Sequence, residues 1–185
     1  PHHRVYVNKV GGAFDAVRHL LDLGHRRIGF VGVLPSNKGK ALVPDFEGWQ
    51  TAQRCAGLTP SLRDAITLDT QELDVALGPC REYLSRSDRP TAVFGGNGAA
   101  AAALYVAAQE LGLRVPRDIS IIGFDANITP RFPQLSVVEI PRHQLGHQTV
   151  DLLLKVARER LDPVQPEIRV LQCALRLNGS TAAPP

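Results

Sequence analysis

Methionine is absent from the chain, which starts at Pro1, and the expectation is a piece of a longer protein. Cysteine is scarce and odd in number. Cys55, Cys80 and Cys173 show no CxxC spacing, which leaves buried free thiols in a reducing compartment. No apolar run approaches the roughly 18 residues that cross a bilayer, and no signal peptide precedes the first helical pattern. The expected location is therefore cytoplasmic, with no membrane partner. Lysine and arginine are scattered, Arg26-Arg27 being the one adjacent basic pair at a net charge of +3. Such a surface gives weak support for nucleic-acid binding by this segment itself.

The signatures of catalysis are missing too. "GGNGA" (95–99) carries no GK[ST] and does not read GxGxxG, so it is no phosphate loop. There is no Gly-x-Ser-x-Gly elbow and no credible Cys/His pairing. His143 and His147 stand four apart on a helical pattern, but without an HExxH glutamate or a third ligand they read as exposed histidines. Neither an enzyme nor a metal site nor a cofactor is expected.

What is present is a folded composition, 44% hydrophobic and 21% charged, with strand and helix patterns in alternation. "RVYVN" (4–8) is β-prone. A helix follows from Gly11-Gly12, with Phe14, Val17, Leu20 and Leu21 on one face and Gly24 as a left-handed cap. "RIGFVGV", "AITLD", "TAVFGG", "ISIIGFD", "LSVVEI" and "EIRVLQCALRL" read as further strands. Helices are expected over 45–57, about 71–86, 99–111 and 142–160, the second kinked or broken near Ala76 by Gly78-Pro79. The last helix carries Leu145, Val150, Leu153, Leu154 and Val156 as its apolar residues, and "NGSTAAPP" reads as a frayed tail. The alternation predicts an α/β fold, a doubly wound and mainly parallel sheet with helices on both faces.

In such a sheet ligands bind beyond the carboxyl ends of the strands. That singles out Asn97, Asp125, the 34–45 loop and Asp69-Thr70. Asn97 offers amide donors and an acceptor beside glycines that let a ligand approach, or it caps the following helix, or it does both. Asp125 ends an apolar strand, where two acceptor oxygens suit vicinal hydroxyls; the alternative is a turn aspartate leading into Asn127.

Four stretches together resemble the effector-binding region of LacI/GalR-type transcriptional regulators: "HLLDLGHRRIGFVG" (19–32), "PTAVFGGNGAAAAALYVAAQELGLRVPRDISIIGFD" (90–125), "PQLSVVEIPRHQLGHQTVDLLL" (133–154) and "RLNGST" (176–181). The resemblance runs in order over essentially the whole chain. It implies a type I periplasmic-binding-protein-like fold, with 1–135 mainly the C-terminal lobe, 136–162 a crossover strand and helix of the N-terminal lobe, and 163–185 a return strand and tail. It also implies a small-molecule effector, operator DNA bound through an N-terminal helix-turn-helix that this stretch lacks, and a homodimer. Asn97 and Asp125 match the family's effector-contacting amide and carboxylate. Asp45 stands where the family usually has an arginine, and Thr70 where many members have an aromatic, so Asp45 and Thr70 join the candidate effector-binding residues. With that arginine gone and carboxylates gathered, a polyol, a neutral sugar or a cationic metabolite is expected rather than a sugar phosphate. An extracytoplasmic sugar-binding protein of a transporter is the alternative reading.

Overall fold

The computed structural model describes residues 2–32, 43–68, 72–125, 131–159 and 165–185. In chain order the elements are β1 (Arg4–Asn8), α1 (Lys9–Asp22), β2 (Ile28–Gly32), α2 (Pro44–Cys55), a 3-10 turn (Leu62–Asp64) and β3 (Ala65–Thr67). Next come α3 (Leu73–Ser85), β4 (Ala92–Gly95), α4 (Gly98–Glu110), β5 (Ser120–Phe124), β6 (Ser136–Glu139), α5 (Arg142–Glu159), β7 (Ile168–Gln172) and β8 (Ala174–Arg176). Six strands form one sheet in the order β3-β2-β4-β5-β6-β8, parallel except for β8, and β1 pairs in parallel with β7 in a separate two-stranded sheet.

The larger sheet is buried on both faces, and period-two alternation decides which residue goes where. Phe30, Phe94, Ile122 and Val138 point to the face covered by α1 and α2, where Phe46 and Trp49 stack with ring centroids 5.3 Å apart. Val31, Val93, Ile121 and Val137 point to the face covered by α3 and α4. On that second face the packing is close. A Cβ on Gly95 would lie 2.9 Å from the Ala101 backbone and one on Gly123 2.7 Å from the Ala101 side chain, so small residues on both partners let α4 settle onto β4 and β5. The alanine run 99–103 is thus buried along its length.

Gly24, at φ +103°, closes α1 with the paired bonds Gly24 N–H to Leu21 O and His25 N–H to Leu20 O. This cap delivers His25 into the core. Its Nε2 lies 2.9 Å from the Ala182 carbonyl and its Nδ1 2.8 Å from the Thr91 hydroxyl. Since a carbonyl only accepts, Nε2 carries the proton and Nδ1 accepts from Thr91.

The same contacts correct the expectation of a frayed tail. Ser180 is buried, its hydroxyl accepting from Ser136 N–H at 2.8 Å and donating to Ile121 O. Asn178 Nδ2 donates to Leu135 O, and Ala182 N–H to Ser120 Oγ at 3.0 Å. The tail supplies backbone and side-chain partners for β5 and the approach to β6.

Four other expectations change. Helix α1 begins at Lys9, with Asn8 Oδ1 capping Gly11 N–H at 2.9 Å, two residues before the glycine pair. Helix α3 runs through Pro79 unbroken, because Ala76, Cys80, Tyr83 and Leu84 hold one face to the core while Val75 and Gly78 are exposed, so the carbonyl that loses its partner lies on the solvent side. The expected closing strand splits at Cys173, since β7 pairs with β1 and β8 with β6 in different sheets. In α5 the buried residue is Leu152, outside the predicted stripe, while Val150, Leu153 and Leu154 are exposed. Residues 33–42, 69–71 and 126–130, which include Lys38, Lys40, Asp69, Thr70 and Asn127, lie outside the described residues.

Burial pushes the His25 imidazole below its ordinary 6.5. Above that pH both folded and unfolded chains are neutral here. Below it the unfolded chain takes up a proton that the folded one refuses, so stability falls as pH drops from 6.5. A His25→Gln variant is expected to lose about 1–3 kcal/mol at pH 7.5, from the partners it leaves unpaired. Its thermal midpoint should also fall less steeply than the wild type's between pH 7 and 5. Equal slopes for the two proteins would remove His25 as the source.

Candidate functional site

All the parallel strands of the larger sheet finish on one edge, and the candidate residues lie just beyond the strand ends. Asn97 comes two residues after β4, Asp125 directly after β5, and Asp45 in the first turn of α2 beyond β2. The three line a single cavity of about 240 Å³ with Lys9, Gly96, Gly98, Phe124 and Ile140. The fourth predicted residue, Thr70, lies outside the described residues. A second space of about 540 Å³, lined by Glu139, Arg142, Gln172 and Ala174 among others, meets the first at Asp125 and Ile140.

Asn97 is a helix cap in fact. Its backbone is extended, its Oδ1 accepts from Ala100 N–H at 2.8 Å, and its carbonyl receives Ala101 N–H. One lone pair of the acceptor is thereby used in the cap, and the Nδ2 amide makes no hydrogen bond among the described residues, so both of its donors are open. The neighbouring glycines answer first to packing: a Cβ on Gly96 would lie 2.9 Å from the ring of Phe30.

Asp125 has φ +83°, the one non-glycine residue with positive φ among the described residues. Aspartate tolerates this region better than most residues, at a cost on the order of 1 kcal/mol. Its N–H is held by Val138 O at 2.8 Å, which turns the side chain out of the strand direction, and the carboxylate pairs with Arg142. Strain of this kind concentrates at ligand sites.

Asp45 is half-buried, follows Pro44 at the start of α2, and its Oδ1 has no hydrogen-bond partner among the described residues. Desolvation pushes its carboxyl up from 3.8 to about 6, opposed by the charge of Lys9. A buried acceptor left open is costly, and a ligand donor is one way to satisfy it.

Two residues that the sequence reading did not single out belong here. Lys9 opens α1 and Arg142 opens α5, each a cation at a helix N-terminus, where the helix dipole disfavours positive charge. Lys9 makes no ion pair among the described residues. The expectation of an acidic cleft is accordingly corrected: the carboxylates of Asp45 and Asp125 face one ammonium and one guanidinium. A signal existed in Asn8-Lys9, an asparagine N-cap followed by a misplaced cation. Arg142 gave no comparable sign, because its partner lies 17 residues away. His143 and His147 are exposed on α5.

Because the carboxyl of Asp45 is raised, the folded chain keeps a proton between pH 3.8 and about 6 that the unfolded chain has lost. Stability due to this group therefore rises as pH falls through that window, and above it the buried charge is a full penalty. Asp45→Asn is expected to stabilise the protein by about 1–2 kcal/mol at pH 7.5, with no gain left below pH 4. Thermal unfolding of both forms across that range reads the difference, and a destabilised variant at pH 7.5 would contradict the assignment.

A family model for the periplasmic binding protein-like domain matches residues 17–181. The chain is 30% identical over 183 residues to the HTH-type transcriptional repressor PurR of Photobacterium profundum, covering 95% of this chain and 54% of that protein. The chain thus spans about half the length of the curated relatives it matches. A crystal structure of a LacI family transcriptional regulator from Enterococcus faecium with bound ribose superposes with a TM-score of 0.80 at 27% identity, covering 98% of this chain and 65% of that one. A regulatory protein of LacI family from Chloroflexus aggregans gives 0.85 at 26% identity, covering 98% and 64%. With the parallel sheet, the carboxyl-edge cavity and the linked motifs in agreement, the chain belongs to the periplasmic binding protein-like domain family, as a member of LacI type.

Proposed function

We propose that the chain is the effector-sensing region of a LacI-type transcriptional regulator and that it binds a small, uncharged, hydroxyl-rich metabolite, a sugar or polyol, without transforming it. One observation carries the reading: Asp45, Asn97 and Asp125 line one cavity in which a buried Asp45 oxygen has no partner among the described residues. A hydroxyl both donates and accepts, so a polyol satisfies the Asp45 oxygen, receives the Asn97 amide and offers an acceptor to Lys9. A monocation would face Lys9 and Arg142, and a phosphate would face Asp45 and Asp125, each without a matching excess of opposite charge. The related regulator from Enterococcus faecium was crystallised with ribose, which is in keeping with this class.

The sheets suggest two lobes. The six-stranded sheet with α1 to α4 forms one, and β1, α5 and β7 contribute to the other, so that the chain crosses between them near Lys9, Ile140 and Cys173. Ligand binding between the lobes biases their arrangement, and a homodimer in the cytoplasm passes that bias to DNA-binding heads outside this stretch as a population shift. The ligand acts only through its different affinity for the two arrangements.

Thermal-shift measurements on the full-length protein, with D-ribose, other neutral sugars, polyols and the matching sugar phosphates, test the reading. Stabilisation by a neutral sugar or polyol is expected. Asn97→Ala should weaken that ligand by about 1–3 kcal/mol, the usual value of a hydrogen bond to a buried polar site. Selective stabilisation by sugar phosphates would refute the proposal.

A further inference from the structure

The pairing of Arg142 with Asp125 joins the two sheets. Asp125 terminates β5 in the larger sheet, whereas Arg142 is the first residue of α5, the helix that packs on β1 and β7 of the smaller one. The contact is made by one nitrogen, Nη2, to one oxygen, Oδ2, and about half of the Arg142 side chain is exposed. A single-nitrogen pair in reach of water is weak and salt-screened compared with a forked, buried one. It nonetheless occupies the carboxylate that closes the cavity, beside an Asp45 oxygen that has no partner among the described residues.

The arrangement is unusual in two respects. Asp125 is held at positive φ, with its N–H fixed by Val138, so its carboxylate cannot follow the backbone elsewhere to seek another cation. Arg142 sits at a helix N-terminus, where the dipole opposes its charge and helps to release it. The backbone of one partner is fixed by a hydrogen bond, and the side chain of the other is about half exposed.

We propose that Arg142 is a resident competitor of the ligand: in the empty protein its guanidinium occupies Asp125 and ties the two sheets together, and an incoming polyol displaces it. The proposal deepens the effector reading, since it rests on Asp125 being a ligand contact, and it assigns to Arg142 the setting of affinity and of the empty-state geometry. Ligand hydroxyls replace the guanidinium on Asp125, so binding of an uncharged ligand strengthens as salt weakens the pair. Removing the guanidinium tightens binding. The sheets of the empty protein also lose one of their ties.

The test uses the full-length protein in two measurements. In the first, without ligand, spin labels at exposed Cys55 on α2 and at Val150→Cys on α5 report the distance between the two sheets' helices, other cysteines being replaced. Arg142→Gln is expected to broaden and shift that distance distribution, and Arg142→Lys to restore it in part. In the second, D-ribose is titrated into wild type and Arg142→Gln at low and high salt. The wild-type affinity should rise with salt, whereas the variant should bind up to about fivefold tighter, the span an exposed ion pair carries, with no salt dependence. An unchanged distance distribution overturns the proposal. So does weaker ribose binding by Arg142→Gln, which would make the guanidinium a ligand contact instead. A shifted distribution with no ribose binding in either protein upholds the tie between the sheets and counts against ribose as the ligand.

Discussion

Close approach of α4 to the sheet is the constraint on which the rest depends. The helix reaches β4 and β5 because Gly95, Gly123 and Ala101 present almost no side chain at the contact. Its start is thereby set at Asn97, two residues beyond β4, with its first turn aimed at the carboxyl edge. The bulk excluded from this face is taken up on the other, where Phe30, Phe94 and Phe124 pack against α1 and α2. That asymmetry positions Asp45 as well, because α2 is anchored by Phe46 and Trp49 while the neighbouring first-turn carboxylate is left at the rim. Trp49 is held in addition by a 3.0 Å hydrogen bond from its indole to Ile28 O.

The rim that results is polar but nearly balanced. Asp45 and Asp125 meet the Lys9 ammonium and the Arg142 guanidinium there, Glu139 beside Arg142 is paired with Arg176, and the amide of Asn97 presents its donors. Under the proposed reading, a rim with an open acceptor and open donors but no dominant charge would select ligands by hydrogen-bond complementarity. Discrimination of that kind works through groups left unpaired when the wrong ligand enters, which is a sharper criterion than shape alone. The charges also belong to different elements, so any change in how the two sheets lie alters the pairing at the same time.

At the opposite edge the chain closes on itself. The Gly24 cap places His25 against Thr91, Ser120 and Ala182, and Ser180 bridges the backbone of β5 to that of β6. The "GHR" and "NGS" stretches, near opposite ends of the chain, thus meet in one buried network. A stable base of this kind lets the carboxyl edge carry strain at Asp125 and an Asp45 oxygen with no partner among the described residues.

Much of the fold was legible in local pattern. Apolar strands between glycine-capped amphipathic helices announced a parallel α/β sheet. The rule that ligands gather at strand ends picked out Asn97, Asp125, the 34–45 loop and Asp69-Thr70, and the family resemblance narrowed the loop to Asp45; the fold brings Asn97, Asp125 and Asp45 to one cavity, while Asp69 and Thr70 lie outside the described residues. These features depend on the period of side-chain burial and on backbone terminations, and both are written in neighbouring residues. The order of the strands, the splitting of the last strand at Cys173, the burial of the tail and the recruitment of Arg142 were not legible, nor was the reason that Pro79 leaves α3 whole. Each turns on which distant segment supplies a partner: β1 for β7, β5 for the tail, Asp125 for Arg142. Residue type and spacing therefore determined the elements and the edge at which the candidate residues gather, whereas the charge balance of that edge was decided only by tertiary packing, because electrostatic energy depends on distance in space and not on distance along the chain.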